Sequence, residues 1–290
     1  MLRTRLWMGA LLVALAVGVL VVDAWLAAGY YPFLFVLLLG LAELACFELL
    51  RLLPGASRPS AWLCHAAVAA LVIANWLAHI EPAAAVLGRD PWHAVAGVFA
   101  AVVLAAFLVE MATFREPGQS VTRIATAVLI AAYLGLLPSF LAQLRWRSAG
   151  AGGMSGPETG TLALALAIFV PKCGDIGAYF TGRFLGRNRM APVLSPKKTW
   201  EGAAGGLAAS VAAAAGINRL GPVLAEGWWG EAGFGVTVGI AGMLGDLAES
   251  LIKRDCRQKD ASQAVPGFGG VLDVVDAVLF AAPVAYWWLR

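Results

Sequence analysis

The chain has 290 residues, of which 60% are hydrophobic and 13% charged, and its formal net charge at pH 7 is +3. A soluble domain typically contains about 45–50% apolar and about 25% charged residues, so this composition excludes an ordinary water-soluble protein. The small net charge, without a basic tract interleaved with aromatic residues, argues against nucleic acid as a partner. We therefore expect a multi-pass protein embedded in the lipid bilayer.

The apolar residues fall in long runs, and a helix needs about 20 of them to cross a bilayer. Nine stretches meet this description: 6–28, 32–53, 61–80, 92–111, 121–142, 160–182, 203–218, 232–252 and 269–289. The seventh is rich in Ala and Gly, and the sequence leaves open that it is short or broken. The predicted fold class is all-α, with about nine transmembrane helices.

The positions of Lys and Arg predict the orientation, because cytoplasmic loops of membrane proteins carry an excess of them. With the N-terminus inside, fifteen of the 21 basic residues fall in inner segments and five in outer ones. The sequence therefore predicts a cytoplasmic N-terminus and, after nine crossings, an external C-terminus. We expect the protein in the inner (plasma) membrane of the cell.

The chain divides into two parts of different chemical character. Residues 1–144 contain five predicted spans, and the acids that fall in or beside these spans are Asp23, Glu43, Glu48 and Glu110. An acid in a span is a functional candidate by default, but we favour helix-end residues that reach the interface or pair with a neighbour. We expect 1–144 to be a lipid-facing scaffold and 145–290 to be a transmembrane catalytic region.

The sixth predicted span carries Lys172, Asp175 and Tyr179, whose spacing places them on one helix face. Gly182 and Gly186 follow, where the helix leaves the membrane. Lys172 and Asp175 either neutralise each other within the helix bundle or belong to a polar site. We favour the site.

The largest inner loop ends in the sequence LSPKKTWEG, which groups hydroxyl and ammonium side chains. The residues of interest are Ser195, Lys197, Lys198, Thr199 and Glu201. A basic loop beside an anionic membrane surface attracts lipid headgroups without further function. Hydroxyls together with lysines suit phosphate oxygens, which accept several hydrogen bonds at once, and we favour phosphate binding.

The eighth predicted span presents a polar stripe at its cytoplasmic end. Asp246, Glu249, Ser250 and Lys253 are spaced three or four residues apart, so they share one face, and Arg254 follows directly. The span therefore brings two acids and two bases to the membrane surface.

The ninth span runs back from the same side of the membrane and begins with Asp273 and Asp276. Carboxylates from two antiparallel helices would repel each other unless a cation joined them. Hard oxygen ligands of this kind suit Mg²⁺. The alternative is a helical hairpin held by internal salt bridges.

A glycine-rich turn, PGFGG, precedes the ninth span. Gly267, Gly269 and Gly270 let backbone amides approach a ligand closely, because no Cβ intervenes. The turn also stands at the start of a helix, where anions are favoured. We expect it to contact a phosphate.

These residues resemble the integral-membrane phosphatidate cytidylyltransferases, also called CDP-diacylglycerol synthases. The family's C-terminal signature has the form S-x-x-K-R-x4-K-D followed by P-G-H-G-G-x-x-D-R-x-D. The matching residues are Ser250, Lys253, Arg254, Lys259, Asp260, Pro266, Gly267, Gly269, Gly270, Asp273 and Asp276. Two upstream elements also match, D-x-x-A-Y-x-x-G-R from Asp175 and S-P-K-K-T-x-E-G from Ser195. The likeness covers roughly residues 170–280.

Two positions depart from the signature. Phe268 stands where the family has His, and Val274 where it has Arg. Phenylalanine neither transfers a proton nor binds a phosphate, so the departures bear on the nucleotide or lipid substrate more than on the acids.

The resemblance implies that CTP and phosphatidate give CDP-diacylglycerol and pyrophosphate on the cytoplasmic side, in a homodimer. We assign Asp246 and Asp273 to Mg²⁺ and Asp276 to the same site as a third acid, with or without a second cation. Lys197, Lys198, Lys253 and Arg254 would hold phosphates. Asp175, Glu249 and Asp260 would orient these bases. The remaining substrate-binding candidates are Ser195, Thr199, Glu201, Ser250, Lys259, Gly267, Gly269 and Gly270.

Other functions stay open on the sequence alone. The nearest are a CTP-dependent transferase acting on another lipid phosphate and a CTP-dependent polyprenol kinase. A membrane transporter is disfavoured, since carriers place their charges near the bilayer midplane and here the charges crowd one end. Phe268 and Val274 also leave room for a non-catalytic relative.

Overall fold

The computed structural model describes residues 2–26, 29–81, 83–150, 153–225, 227–262, 264–267 and 269–290, and most of these are helical. The helices are α1 Leu2–Leu26, α2 Pro32–Leu52, α3 Ala61–Leu77, α4 Ala83–Leu87, α5 Pro91–Thr113, α6 Ser120–Ala131, α7 Leu137–Leu144, α8 Pro157–Leu185, α9 Trp200–Asn218, α10 Trp228–Asp255 and α11 Leu272–Leu289. A π-helical turn, Ala132–Leu136, joins α6 to α7. Two short strands, β1 Arg189–Ala191 and β2 Ser195–Thr199, pair antiparallel.

A helix overlaps each of the nine predicted spans, and seven helical segments of the described chain are long and apolar enough to cross a membrane. They lie in α1, α2, α5, α6–α7 taken together, α8, α10 and α11. Helix α3 is apolar but shorter, and α9, the stretch rich in Ala and Gly, is not among the seven. The predicted class, an all-α polytopic membrane protein, is confirmed. The number of crossings and the side of the N-terminus stay predictions.

The chain forms two compact units. The first comprises Met1–Ala142 and Asp260–Leu272, and the second Gln143–Lys259 and Asp273–Arg290. The turn before α11 thus belongs to the unit that holds α1 to α6, although it is distant in sequence. The functional division into 1–144 and 145–290 stays a prediction.

The acids of the first predicted spans all have partners within the first unit. The pairs are Asp23 with the backbone amides of Phe33 and Leu34, Glu43 with His65, Glu110 with Arg123, and Glu48 with the turn before α11. Each of the four carboxylates thus pairs with a neighbouring group, as favoured from the sequence, although Oε1 of Glu43 has no hydrogen-bond partner among the described residues.

Glu48 makes the most extensive of these contacts. Its side chain is 4% exposed, and its carboxylate accepts hydrogen bonds from the amides of Val271 and Leu272, both at 2.9 Å. The hydroxyl of Ser262 donates a third, at 2.6 Å. A Cβ on Gly270 would overlap the same carboxylate, so any larger residue there would displace the Glu48 side chain from its present position. The N-terminus of α11 therefore has an internal anion as its cap.

Glu48→Ala is expected to lower the free energy of unfolding by roughly 2–4 kcal/mol, because two buried amides and a hydroxyl lose their acceptor. Thermal melting of the detergent-solubilised protein measures this. Glu81→Ala serves as the control, since Glu81 forms only an exposed pair with Arg89; its effect should stay within about 0.5 kcal/mol. Equal melting temperatures for the two variants would contradict the conclusion that Glu48 stabilises the start of α11.

The second unit packs its helices closely through glycines. A Cβ on Gly205 of α9 would overlap the side chain of Thr181 on α8. Helix α10 approaches α11 in the same way, where a Cβ on Gly245 would lie 2.5 Å from the carbonyl oxygen of Asp276. Membrane helices without a hydrophobic driving force between them associate through such small residues, because their backbones can then come near. The close α8–α9 and α10–α11 contacts also fix the positions of the polar side chains on α8, α10 and α11.

Gly205→Ala should destabilise the protein by on the order of 1–3 kcal/mol, since the methyl group has no space. Gly216→Ala, on the same helix, has nothing within 4 Å of the new Cβ. It should instead stabilise by up to about 1 kcal/mol through helix propensity. Thermal melts of the two variants should show a lower melting temperature for Gly205→Ala and a higher one for Gly216→Ala. Changes of melting temperature in the same direction would be inconsistent with tight α8–α9 packing.

Candidate active site

The basic sequence SPKKT, expected in a loop, forms strand β2 and leads straight into α9. Thr199 begins α9 as its N-cap, where its Oγ1 accepts a hydrogen bond from the amide of Gly202 at 3.1 Å. Such a side-chain cap satisfies one of the otherwise unpaired amides of a helix start. Ser195 pairs with Ala191 across the hairpin. Lys197 and Lys198 are therefore held on ordered backbone immediately before the helix.

Glu201, in the first turn of α9, fixes the other end of the hairpin. Its carboxylate accepts hydrogen bonds from the amide of Arg187 at 3.1 Å and from the amide and side chain of Asn188, the latter at 2.7 Å. Bonds from its own amide and from these two residues lower the pKa of Glu201 to about 2. The structure thus gives Glu201 a structural contact, and the substrate-binding role stays a prediction.

A cavity of about 460 Å³ opens between α8, the hairpin, α9 and α10. Its lining residues are Asp175, Ala178, Tyr179, Gly182, Arg183, Met190, Lys197, Lys198, Thr199, Gly202, Ala203, Met243 and Asp246. It therefore combines cations from α8 and β2 with acids from α8 and α10. The two upstream sequence elements of the family signature, which begin at Asp175 and Ser195, meet on its walls.

Two lysines reach the acids from outside α10. Lys198 Nζ lies 2.7 Å from Asp246 Oδ2. Lys172 Nζ of α8 lies 3.2 Å from Asp276 Oδ1 on α11 and 3.4 Å from Asp175 Oδ2 on its own helix. The sequence indicated the Lys172–Asp175 spacing but not the contact with Asp276, which joins residues 104 apart.

Lys253 is buried, with 8% of the residue exposed, and it bridges two further acids. Its Nζ lies 2.5 Å from Glu249 Oε2 and 2.6 Å from Asp273 Oδ1. A buried lysine with two carboxylate partners keeps its charge, because the partners offset the loss of hydration. Lys253 therefore acts within the protein as a link between α10 and α11.

Three of the acids come close enough to share a metal ion. Asp246, Glu249 and Asp276 each offer an oxygen, and these oxygens lie within 4.8 Å of one another. Glu249 is 1% exposed, and its Oε1 has no hydrogen-bond partner among the described residues. A buried carboxylate oxygen without a donor is costly unless the group takes up a proton or binds a cation. The donor set fits Mg²⁺, which takes a few carboxylates and completes its shell with water and phosphate.

The cluster differs from the predicted metal ligands at one place. Asp246 and Asp276 belong to it, Glu249 is the third member, and Asp273 lies against Lys253. The assignment of Asp246, Asp273 and Asp276 to a metal ion stays a prediction. The spacing of Asp246 and Glu249 on α10 had already placed both on one face. Which acid of α11 faces them depends on the rotation of that helix, which the sequence does not give.

The remaining candidates on α8 and α10 have local contacts. Arg183 donates to the hydroxyl of Tyr179 at 2.9 Å, and both line the cavity. Arg254 donates to the carbonyl oxygens of Leu194 at 3.3 Å and Gln258 at 3.1 Å, which ties the hairpin to the end of α10. Ser250 is buried on α10.

The segment between α10 and α11 carries two charged candidates and the glycine-rich turn. Lys259 and Asp260 are exposed, and neither forms an ion pair within the described part of the chain. Gly267 and Gly269 have positive φ angles of 87° and 110°, as a glycine turn requires. The amide of Gly269 donates to Val265 at 3.0 Å.

The amide of Gly269, within the glycine-rich turn, and the amides of Val271 and Leu272, just after it, have partners inside the protein. Gly269 is paired across the turn, and the two amides that follow Gly270 are held by Glu48. A phosphate could take the latter two only by displacing a carboxylate. The substrate-binding role of Gly267, Gly269 and Gly270 stays a prediction. Phe268, one of the two departures from the signature, lies outside the described residues.

The fold and site together define a class: a polytopic helical membrane protein with a lysine-bound acid cluster beside a cationic cavity. The sequence model of the Cytidylyltransferase family matches residues 3–290. The chain belongs to this family.

Several curated proteins are similar to this chain. A phosphatidate cytidylyltransferase of Synechocystis is 35% identical over 196 residues, which cover 61% of this chain and 65% of that protein. One of Brucella suis is 47% identical over 112 residues, covering 39% and 41%. The chloroplastic phosphatidate cytidylyltransferase 5 of Arabidopsis thaliana is 32% identical over 205 residues, covering 65% and 51%. The chain thus matches less than two thirds of the length of each of these relatives.

Proposed function

We propose that this protein is a phosphatidate cytidylyltransferase, which converts CTP and phosphatidate into CDP-diacylglycerol and pyrophosphate. Family membership and the names of its relatives support the proposal. The observation that carries it is that Asp246 belongs both to the acid cluster and to the wall of the cavity that holds Lys197 and Lys198. A nucleoside triphosphate needs both features at one place, cations for its phosphates and acids for its divalent ion.

The reaction needs no nucleophile from the protein. An oxygen of the phosphatidate phosphate attacks the α-phosphorus of CTP, and the bond from that phosphorus to the oxygen bridging the β-phosphate breaks. Pyrophosphate carries away the electron pair. What the chain must supply is alignment of the two substrates and neutralisation of their negative charge.

The cavity offers cations suited to this task. Lys197 is exposed on β2, and no carboxylate of the described chain forms an ion pair with it. Arg183 lines the same cavity from α8, one helical turn from Tyr179. Lys198 is bonded to Asp246, so it sits between the acid cluster and the cavity. We assign Lys197 and Arg183 to phosphate oxygens and Lys198 to holding Asp246 in place.

We further propose that Mg²⁺ is the cofactor and that Asp246, Glu249 and Asp276 would hold it. When bound, it would supply positive charge to the triphosphate and to the departing pyrophosphate. Lys253 then holds Glu249 and Asp273 in position between α10 and α11. Removal of divalent ions with a chelator should abolish turnover, and added Mg²⁺ should restore it.

The proposal includes an inner-membrane location, with the site on the cytoplasmic side, and a homodimeric assembly. The excess of Lys and Arg in the predicted inner segments supports the orientation. Labelling of single introduced cysteines from either side of the membrane tests it, and light scattering of the purified protein tests the oligomeric state.

One assay separates the proposed activity from its nearest alternative. Purified protein receives phosphatidate, Mg²⁺ and CTP labelled either in the cytidine or at the γ-phosphate. A cytidylyltransferase transfers the cytidine label to lipid and releases the γ-label in pyrophosphate. A CTP-dependent kinase transfers only the γ-label to lipid, and that result would overturn the proposal. Repeating the assay with a polyprenol phosphate checks the lipid substrate.

A further inference from the structure

The hairpin segment, residues 187–199, carries two arginines that the proposed chemistry does not use. Arg187 and Arg189 are exposed, and neither belongs to the lining of the cavity. Neither side chain forms a hydrogen bond or an ion pair within the described chain, since the bond at Arg187 comes from its backbone amide. Glu201, which lies against this segment, directs its carboxylate to backbone amides and to Asn188. Both guanidinium groups are therefore available to an anion outside the chain.

Exposed apolar side chains lie on either side of these arginines and in the turn between the strands. Phe184 in the last turn of α8 is 74% exposed, Val193 in the turn of the hairpin 84%, and Trp200 at the start of α9 62%. Contact with water is unfavourable for such groups, and Trp is enriched where membrane proteins meet the bilayer surface. Basic and large apolar side chains together are typical of a surface that lies in the headgroup region of a bilayer.

The fold places these side chains at one end of the helix pair α8–α9. A Cβ on Gly186 would lie 2.8 Å from Oγ1 of Thr199, so the end of α8 touches the beginning of α9. The amide of Trp200 donates to the carbonyl oxygen of Asn188 at 2.9 Å, which closes the segment into an ordered hairpin. Helix α8 is one of the helices long and apolar enough to cross the membrane. The hairpin segment, which follows it directly, therefore lies where the helix leaves the hydrocarbon.

We infer that the hairpin segment binds the headgroups of anionic phospholipids through Arg187 and Arg189, with Val193 and Trp200 among the upper parts of the acyl chains. A guanidinium group matches a phosphate with two parallel hydrogen bonds. A zwitterionic headgroup carries its own cation beside the phosphate, so the arginines favour lipids with a net negative charge. This surface is separate from the cavity, and the inference goes beyond the proposed activity and does not depend on it. It would concentrate anionic lipids beside the cavity.

The test compares two spin-labelled lipids in vesicles that contain the full-length protein. The vesicles consist of phosphatidylcholine with a trace of either spin-labelled phosphatidylglycerol, which is anionic, or spin-labelled phosphatidylcholine. Electron paramagnetic resonance measures the fraction of each label that the protein immobilises. The wild type should associate with the anionic label at least about fivefold more strongly than with the zwitterionic one. Most of this preference should disappear at about 1 M NaCl, because salt screens exposed charges.

Two variants of the hairpin segment should lose the preference. Arg187→Gln/Arg189→Gln removes both charges and should lower the preference to less than about twofold. Val193→Glu should lower it as well, because it places a negative charge at the bilayer surface. Val193 is mostly exposed, so this second variant changes the surface without disturbing the interior.

Arg51→Gln/Arg58→Gln is the matched control, since it removes the same charge from segments predicted to lie on the same side of the membrane. Both side chains already have contacts within the protein: Arg58 donates to the carbonyl oxygen of Leu53 at 2.8 Å, and Arg51 lies over the ring of Phe47. This control should keep the preference of the wild type.

Equal association of the two labels with the wild type would overturn the inference and leave the hairpin segment as a surface for a protein partner. A preference that persists in Arg187→Gln/Arg189→Gln, or at high salt, would also overturn it. So would a control variant that loses as much as the hairpin variants, because the effect would then belong to net charge alone. The measurement requires neither CTP nor phosphatidate, so its outcome is independent of whether the protein makes CDP-diacylglycerol.

Discussion

Asp246→Asn is expected to reduce the rate of CDP-diacylglycerol formation by about a hundredfold to a thousandfold, the scale on which removal of one charge-stabilising group acts. Asp246 is the one member of the acid cluster that also lines the cavity in the described chain, and it holds Lys198 at 2.7 Å. The amide keeps the size of the side chain but removes its charge. Turnover with labelled CTP and phosphatidate in mixed micelles measures the loss.

The control for this variant is Asp255→Asn, at the exposed end of the same helix and outside the cluster. It should retain turnover within about twofold, as surface substitutions generally do. Mn²⁺ binding should fall in Asp246→Asn and not in Asp255→Asn. If Asp246→Asn turned over at close to the wild-type rate, the assignment of the metal site to this cluster would be wrong.

Lys253→Met should unfold far more readily than the wild type. The substitution leaves Glu249, 1% exposed, and Asp273 without the cation that they share. Removing one partner of a buried ion pair costs roughly 3–5 kcal/mol, because the remaining charge is uncompensated. Thermal melting of the solubilised protein, measured without divalent ions, records the loss.

Two further variants test whether the loss of stability comes from the broken ion pairs and not merely from replacing a lysine by methionine. Lys259→Met removes an exposed lysine four residues beyond the end of α10 and should melt like the wild type. In the double variant Lys253→Met/Asp273→Asn one of the uncompensated charges is also removed, so part of the stability should return. A double variant that is as unstable as the sum of its single variants would show that the two residues act independently.

Glu48 lies outside the signature sequence, but it binds the backbone amides at the start of α11. The glycine-rich turn resembles a phosphate-binding turn in composition, yet a carboxylate of α2 accepts the two amides at the start of α11. Asp273 directly follows the second of these residues in the chain. A helix N-terminus favours any anion, and an acid of the protein itself serves as well as a phosphate.

Much of the fold follows from local sequence. Long apolar runs must form helices in a bilayer, because each backbone group then finds its partner within the same segment. This is why a helix overlaps all nine predicted stretches, and why Asp246, Glu249 and Lys253 could be placed on one face of α10 beforehand. The hairpin was missed, since SPKKT has too few residues to show a strand pattern before the cap at Thr199.

The sequence by itself determined the membrane class and most of the helices, and it singled out the charged residues proposed for the site. Only the tertiary structure decided which lysine pairs with which acid, such as Lys172 with Asp276, 104 residues away. It also decided that Glu48 accepts a hydrogen bond from Leu272, the first residue of α11, 224 residues away. These contacts depend on how the helices rotate and how closely their glycines let them approach. The spacing of residues along a helix determines which side chains share a face, but it does not determine which neighbouring helix that face contacts.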